Sequence, residues 1–72
     1  MSSKILKISK EKWGKLKEKL VEEGFYLKGI IKGYEVYHSN KTTAGVTYDG
    51  NDGVIRYTDK IENVINRLVS SL

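Results

Sequence analysis

The chain of 72 residues has no cysteine, no proline and no glutamine, and it has a single histidine. Without cysteine it can form no disulfide, no thiolate nucleophile and no cysteine-based zinc site. A chain this short buries only about 60% of the surface that it exposes when unfolded. In the absence of cross-links, such a domain depends on close packing or on oligomerisation.

The sequence also lacks long hydrophobic runs. No apolar stretch approaches the roughly 20 residues that a transmembrane helix needs. The first residues, MSSKILKISKEKW, lack the apolar core of a signal peptide. We therefore expect an intracellular, soluble protein with no membrane partner. A hydrophobic content of 39% and a charged content of 31% are typical of a globular chain, and we expect a single domain over residues 1–72.

Positive charge is concentrated in the first half of the chain. Residues 1–32 contain nine Lys against four Glu, whereas residues 33–72 contain four basic residues against five acidic ones. A net charge of +4 permits binding to nucleic acid or to another acidic partner. It also fits a basic surface that serves solubility alone, since eleven Lys and six Glu with no Gln favour a thermophilic source.

The spacing of apolar residues predicts an α+β domain with the order β-α-β-β-β-β-α. Residues 4–8 alternate as a short strand does, and Ser9 is a natural N-cap for the helix that follows. Gly24 ends that helix. Its apolar stripe is predicted at Trp13, Leu16, Leu20 and Val21.

Four strands are predicted between the first helix and a second one at the end of the chain. Lys32-Gly33 forms a tight connection between the first two of them. We expect one small antiparallel sheet with both helices packed on one face. The predicted strands are residues 25–31, 34–39, 42–48 and 54–57, and the second helix has its stripe at Ile61, Val64, Ile65, Leu68, Val69 and Leu72.

The stretch DGNDG, residues 49–53, looks more like a binding motif than any other part of the chain. An EF-hand calcium loop counted from Asp49 needs an oxygen ligand at position 5 and Glu at position 12, but these positions hold Gly53 and Lys60. A phosphate-binding loop would lead into a helix, whereas this stretch leads into a strand. We therefore predict a hairpin turn, in which both glycines have positive φ and the three polar residues bond their own backbone. No metal site and no cofactor is expected.

Because side chains alternate across a sheet, the choice of core face fixes the other face. We expect the core face to hold Phe25, Leu27, Tyr34, Val36, Val46, Tyr48, Ile55 and Tyr57. The open face would then hold Tyr26, Lys28, Glu35, Tyr37, Thr43, Thr47, Val54 and Arg56.

Aromatic and basic side chains interleaved on an open sheet suit base stacking and phosphate contact. In this hypothesis Tyr26 and Tyr37 stack on bases or pack, while Lys28, Lys41 and Arg56 contact phosphates. A bland polar face, with Tyr and Thr present because they favour strands, is the alternative. The candidate nucleic-acid-binding residues are Lys15, Lys19, Tyr26, Lys28, Tyr37, Lys41, Thr47 and Arg56, the two lysines of the first helix belonging to its basic face.

The sequence offers little for catalysis. His38 and Ser39 are neighbours in a predicted strand, so they point to opposite faces and cannot form a nucleophile–base pair. A metal-independent ribonuclease built from His38, Tyr37 and a lysine is a third hypothesis. We assign no catalytic residue and expect no enzyme.

Two families resemble parts of the chain. The order helix, Gly-Phe, three strands, helix resembles HicA-type RNA-cleaving toxins, but the stretch KGYEVYHSN lacks their Gly-Ser/Thr-His element. The span ILKISKEKWGKLKEKL followed by YEVYHSNK is similar to the TATA-binding-protein-like domain at the N-terminus of some ribonucleases H. Ser39-Asn40-Lys41 lacks the glycine of the Ser-Gly-Lys turn in that domain. Neither likeness transfers a functional residue.

The sequence thus supports two principal hypotheses. The first is a small basic protein that binds nucleic acid through its open sheet face, aided by lysines of the first helix. The second is a protein-interaction module, such as a small regulator or inhibitor of viral or mobile-element origin. In the second hypothesis, a sheet edge pairs with another chain, including a second copy in a homodimer.

Overall fold

The computed structural model describes residues 3–72 and confirms the predicted order of elements. Five strands form one antiparallel sheet in the order β1-β5-β4-β3-β2, and two helices pack on one of its faces. No helix within residues 3–72 is long and apolar enough to cross a membrane. The elements are β1 (Ser3–Lys7), α1 (Lys10–Glu22), β2 (Phe25–Ile31), β3 (Tyr34–Ser39), β4 (Gly45–Asp49), β5 (Val54–Thr58) and α2 (Glu62–Ser70), with a 3-10 turn at Asp59–Ile61 before α2.

Helix α1 begins and ends where the local sequence predicts. The Ser9 side chain accepts a hydrogen bond from the backbone N–H of Lys12 at 3.2 Å, which caps the helix. At the other end Gly24 has a φ of +99°, a conformation that stops the helix and turns the chain into β2. The predicted stripe is correct for Trp13, Leu16 and Leu20, which are buried, but wrong for Val21, which is 58% exposed.

The core lies between the two helices and the sheet. Trp13 is its central side chain: its ring stacks on Tyr48 with centroids 4.8 Å apart and meets the edge of Tyr37 at 5.7 Å. The Trp13 indole N–H donates to a carboxylate oxygen of Glu35 at 3.1 Å, and the Lys17 ammonium lies 3.6 Å from the other oxygen. The indole N–H is therefore satisfied inside a core that is otherwise apolar.

The predicted faces of β3 are wrong, because β2 contains one residue more than a regular ladder allows. Pairing steps from Leu27–Tyr37 to Gly29–Val36, so Lys28 forms a β-bulge. Because side chains alternate between the two faces, one extra residue in β2 reverses which residues of the paired strand β3 point toward the helices. As a result Tyr37 and Glu35 lie on the helix-covered face, while Tyr34 and Val36 lie on the open face.

The predicted start of the fourth strand is also too early. Strand β4 begins at Gly45, because residues 40–44 form a loop in which the Ala44 N–H donates to the Thr42 carbonyl at 2.9 Å. Thr43 therefore lies in this loop and not in the strand.

The stretch DGNDG is a hairpin turn between β4 and β5, as predicted. Asp49 pairs with Val54 at its base, and the Gly53 N–H donates to the Asp49 carbonyl at 2.9 Å. Gly53 has a positive φ of 68°, but the expectation of a positive φ at Gly50 is wrong. The Asp49 side chain organises the turn by accepting the backbone N–H groups of Asn51 and Asp52 at 2.9 and 3.2 Å.

Candidate nucleic-acid interface

The sheet face opposite the helices, which we term the open face, carries three lines of side chains. Partners on neighbouring strands share a face, so the register fixes which residues stand side by side. One line runs Tyr26, His38, Gly45, Thr58, Ser3, the next runs Gly29, Val36, Thr47, Arg56, Ile5, and the third runs Ile31, Tyr34, Asp49, Val54, Lys7.

A hollow of about 420 Å³ interrupts the open face above Gly45. It forms because this position has no side chain. A Cβ atom there would lie 3.1 Å from the imidazole carbon Cδ2 of His38, which is the partner of Gly45 on β3. The His38 ring therefore lies across the glycine instead of standing away from the sheet. The Gly45 N–H donates to the Thr58 hydroxyl at 3.2 Å on the other side.

The side chains around the hollow are mainly hydrogen-bond donors. Arg56 has a guanidinium group, His38 an imidazole, and the serine and threonine residues have hydroxyls. The lining contains no acidic residue, and it consists of Ser3, His38, Thr43, Ala44, Gly45, Thr47, Arg56, Tyr57 and Thr58. The Tyr57 phenol lies on the helix-covered face, where burial raises its pKa and the nearby Glu62 carboxylate raises it further, so it takes no part in the hollow.

Arg56 is held beside the hollow by Asp49. One guanidinium nitrogen lies 3.4 Å from a carboxylate oxygen of Asp49, whose side chain is only 3% exposed, whereas the Arg56 side chain is 43% exposed. Burial raises the pKa of Asp49, but hydrogen bonds from Asp52, Asn51 and Arg56 lower it more, so the pKa lies below its ordinary value. The carboxylate is thus ionised, and it fixes Arg56 at one end of the hollow.

Four other predicted residues are exposed or lie on the open face. Thr47 is the cross-strand partner of Arg56, and Tyr26 is the partner of His38. Tyr26 is 49% exposed. Lys28, two residues after Tyr26, is exposed at the bulge of β2, and Lys41 is exposed in the loop after β3. The structure therefore places Tyr26, Thr47 and Arg56 on the same face of the sheet.

The remaining three predicted residues do not belong to this surface. Tyr37 is 6% exposed and packs against Trp13 in the core, so it cannot stack on a base without unfolding. Lys15 and Lys19 lie on α1, which covers the other face of the sheet. The sheet itself separates these lysines from the hollow. Lys15 and Lys19 therefore share no surface with the hollow, and their part in binding nucleic acid stays a prediction.

Sequence reasoning missed the most distinctive feature of the site, the hollow formed by Gly45 and His38. The single His and a Gly in a predicted strand were both visible signals, since an isolated strand glycine marks a close approach. Their pairing depends on the register of β3 and β4, which the sequence does not specify. His38 and Ser39 do lie on opposite faces, as the alternation of strand residues predicts.

Residues 3–72 contain no group of three or more His, Asp or Glu side chains that could hold a metal ion. In the DGNDG turn the Asp49 carboxylate is already engaged by two backbone N–H groups and by Arg56. What the turn contributes to the open face is the position of Arg56.

Comparisons with known proteins add no family to this description. No protein-family model, curated protein or solved structure matches the chain. The functional argument therefore depends on the geometry of the open face alone.

Proposed function

We propose that this protein binds single-stranded nucleic acid on its open face. The observation that carries the proposal is the hollow above Gly45, which gathers donors from Arg56, His38 and Thr47 and has no acidic lining residue. Exposed Tyr26 stands beside His38 on the next strand.

A phosphate group suits the hollow chemically. Its oxygens accept hydrogen bonds, and a guanidinium group provides several donors in a fixed planar arrangement that matches them. Arg56 is fixed from behind by Asp49, so less conformational freedom is lost when it binds a ligand. The hydroxyl of Thr47 and the imidazole of His38 supply further polar contacts from β4 and β3.

Tyr26 provides the aromatic surface that a base needs. Its neighbour across the strands is His38, so a base stacked on Tyr26 would lie next to a phosphate in the hollow. Lys28, at the bulge of β2, and Lys41, in the loop after β3, are exposed cations that would contact adjacent phosphates in this proposal. Because a base must leave its duplex to stack on a side chain, this arrangement favours single strands over duplexes.

The salt dependence of binding tests the proposal. If Arg56, Lys28 and Lys41 each neutralise one phosphate, log K should fall with log salt at a slope of about −2 for a single strand. Affinity for a fluorescent oligonucleotide, measured by anisotropy, should then drop about 15- to 20-fold between about 50 and 200 mM salt. Replacing one contacting residue should reduce the magnitude of the slope by about 0.7.

Arg56→Gln and Lys15→Gln form a matched pair for this experiment, since each removes one positive charge. We expect the first to reduce the salt slope and the second, on the helix side, to leave it unchanged. Thermal unfolding of both variants verifies that they are folded. No binding at about 50 mM salt would overturn the proposal. Equal effects of the two variants would overturn the assignment to the open face.

The same experiment with an RNA probe separates binding from cleavage. After incubation the probe is run on a denaturing gel, and intact RNA is expected. Cleavage that is lost in His38→Ala would instead support the third hypothesis, a metal-independent ribonuclease with His38 in the hollow.

A protein-interaction module is the second candidate function, and a different observation favours it. Strand β2 is an edge of the sheet and exposes four large hydrophobic side chains, Tyr26, Leu27, Ile30 and Ile31. Exposed apolar side chains on an unpaired edge are a template for pairing with another chain.

A further inference from the structure

Strand β2 carries most of the exposed large hydrophobic side chains within residues 3–72. Leu27 is 45% exposed, Ile30 is 64% exposed, and Ile31 is 62% exposed. Together with Tyr26, which is 49% exposed, these side chains are distributed evenly between the two faces of the sheet. A surface that only served solubility would have polar residues here.

The bulge at Lys28 sets this distribution. Leu27 pairs with Tyr37, and Ile30 pairs with Glu35, so both lie on the helix-covered face although they are three residues apart. Tyr26 and Ile31 lie on the open face, as the partners of His38 and Tyr34. Each face of β2 therefore carries one exposed apolar side chain before the bulge and one after it.

This arrangement is self-complementary. In a two-fold antiparallel pair of identical strands, the numbers of opposing residues add to a constant, and opposing residues share a face. The residue numbers of Leu27 and Ile30 add to 57, and so do those of Tyr26 and Ile31. A register in which opposing residue numbers add to 57 therefore places Leu27 opposite Ile30 of the partner subunit on the helix side. It also places Tyr26 opposite Ile31 of the partner subunit on the open side.

Neighbouring registers lack this match. A sum of 56 places Lys28 opposite Lys28 of the partner subunit, and like charges directly opposite are destabilising. It also places Tyr26 opposite Ile30 of the partner subunit, although these two side chains lie on different faces of the sheet. A sum of 58 places Leu27 opposite Ile31 of the partner subunit, and these two side chains also lie on different faces. In the 57 register Lys28 faces Gly29, where a Cβ atom would meet nothing within 4 Å, so the lysine has room to turn outward.

We propose that the chain forms a homodimer through β2, with the residue numbers of opposing positions adding to 57. The two sheets join into one antiparallel sheet of ten strands, with all four helices on the same side. Val21 of α1 is 58% exposed and lies one helical turn beyond Lys17, which contacts Glu35 on β3. The two open faces become continuous, and Tyr26 of each subunit stands near the seam.

Register-specific cross-linking tests the dimer directly, because the chain has no cysteine of its own. We propose to mix the single variants Leu27→Cys and Ile30→Cys under mild oxidation and to measure disulfide-linked dimer on a non-reducing gel. The mixture is expected to cross-link, and each variant alone is expected to remain largely uncross-linked. Leu27→Cys mixed with Ile31→Cys is the matched control, since those positions meet only in the wrong register.

A second measurement keeps the proposal testable if a cysteine variant fails to fold. Light scattering should give twice the monomer mass for the natural chain. Ile30→Lys should weaken self-association about tenfold or more, since the contact occurs twice in each dimer. Ile5→Lys, at the equally exposed edge of β1, should leave the mass unchanged. A monomeric natural chain, or cross-linking that does not depend on the pair chosen, would overturn the proposal.

Discussion

Tyr37 and Tyr26 offer a sharp test of the structure, because the sequence predicts the same role for both and the structure separates them. Tyr37 is 6% exposed and meets the Trp13 ring at a centroid distance of 5.7 Å and an interplanar angle of 78°. Tyr26 is 49% exposed at the edge of the open face. We predict that Tyr37→Ala destabilises the fold and that Tyr26→Ala mainly weakens binding to a single strand.

The expected size of the effect follows from burial. Truncating a buried aromatic residue to alanine costs about 3 to 5 kcal/mol. A chain of 72 residues has a total stability of about 4 to 11 kcal/mol. Tyr37→Ala should therefore lower the Tm by about 12 °C or more. Tyr26→Ala should change stability by about 1 kcal/mol or less and reduce affinity about fivefold or more, through lost stacking.

Trp13, the single tryptophan, reports on unfolding in both variants through its fluorescence. Tyr37→Phe serves as the control, since it keeps the ring against Trp13 and should retain most of the stability. If Tyr37→Ala unfolded within a few degrees of the natural chain, the register of β3 described above would be wrong. If Tyr26→Ala bound nucleic acid normally, the stacking role of Tyr26 would be wrong.

Three further substitutions test the turn, the end of α1 and the middle of α1. Asp49→Asn removes the ion pair with Arg56; because the folded-state pKa of Asp49 is lowered, its stabilisation is present at pH 7 and is lost as the pH falls below about 4. The Tm difference between this variant and the natural chain should therefore shrink in acid, and a difference independent of pH would contradict the account. Gly24→Ala should destabilise by about 1 to 3 kcal/mol, since φ is +99° and a Cβ atom would lie 2.9 Å from the Asn40 side-chain oxygen. Gly14→Ala, in the middle of α1 with nothing within 4 Å, should instead stabilise by about 0.5 to 1 kcal/mol in thermal unfolding, and a loss of stability there would refute the open surroundings of Gly14.

The sequence predicts the elements of this fold well, because their signals are local. Ser9 and Gly24 mark the ends of α1, and the change from a period near four to a period of two marks the start of the sheet. The DGNDG turn is identified by the residue types that such turns require. None of these inferences depends on which strands pair.

The faces of the sheet could be predicted only in part, because one residue decides them. The extra residue at Lys28 is invisible to an argument from alternation, yet it moves Tyr37 into the core and Tyr34 to the open face. Strands β4 and β5 lie beyond the bulged pair, and their predicted faces are correct for Val46, Tyr48, Ile55 and Tyr57. Thr47 and Arg56, which lie on the open face as predicted, come from these two strands.

The hollow could not be predicted at all, since it depends on a contact between strands. Gly45 gives space only because His38 stands opposite it, and that pairing follows from the loop at residues 40–44. The same register places Arg56 beside Thr47. The DGNDG turn is therefore important to the site through the strands that it aligns, and through the Asp49 carboxylate that holds Arg56.

The central claim, that the open face binds single-stranded nucleic acid, is tested most directly by mapping the contact in solution. In a ¹⁵N-labelled sample titrated with an unlabelled single-stranded oligonucleotide, amide shift changes should concentrate at Tyr26, His38, Thr47 and Arg56. The amides of α1, including Lys15 and Lys19, should stay close to their free positions. No shift changes at saturating oligonucleotide, or changes concentrated on α1, would contradict the account.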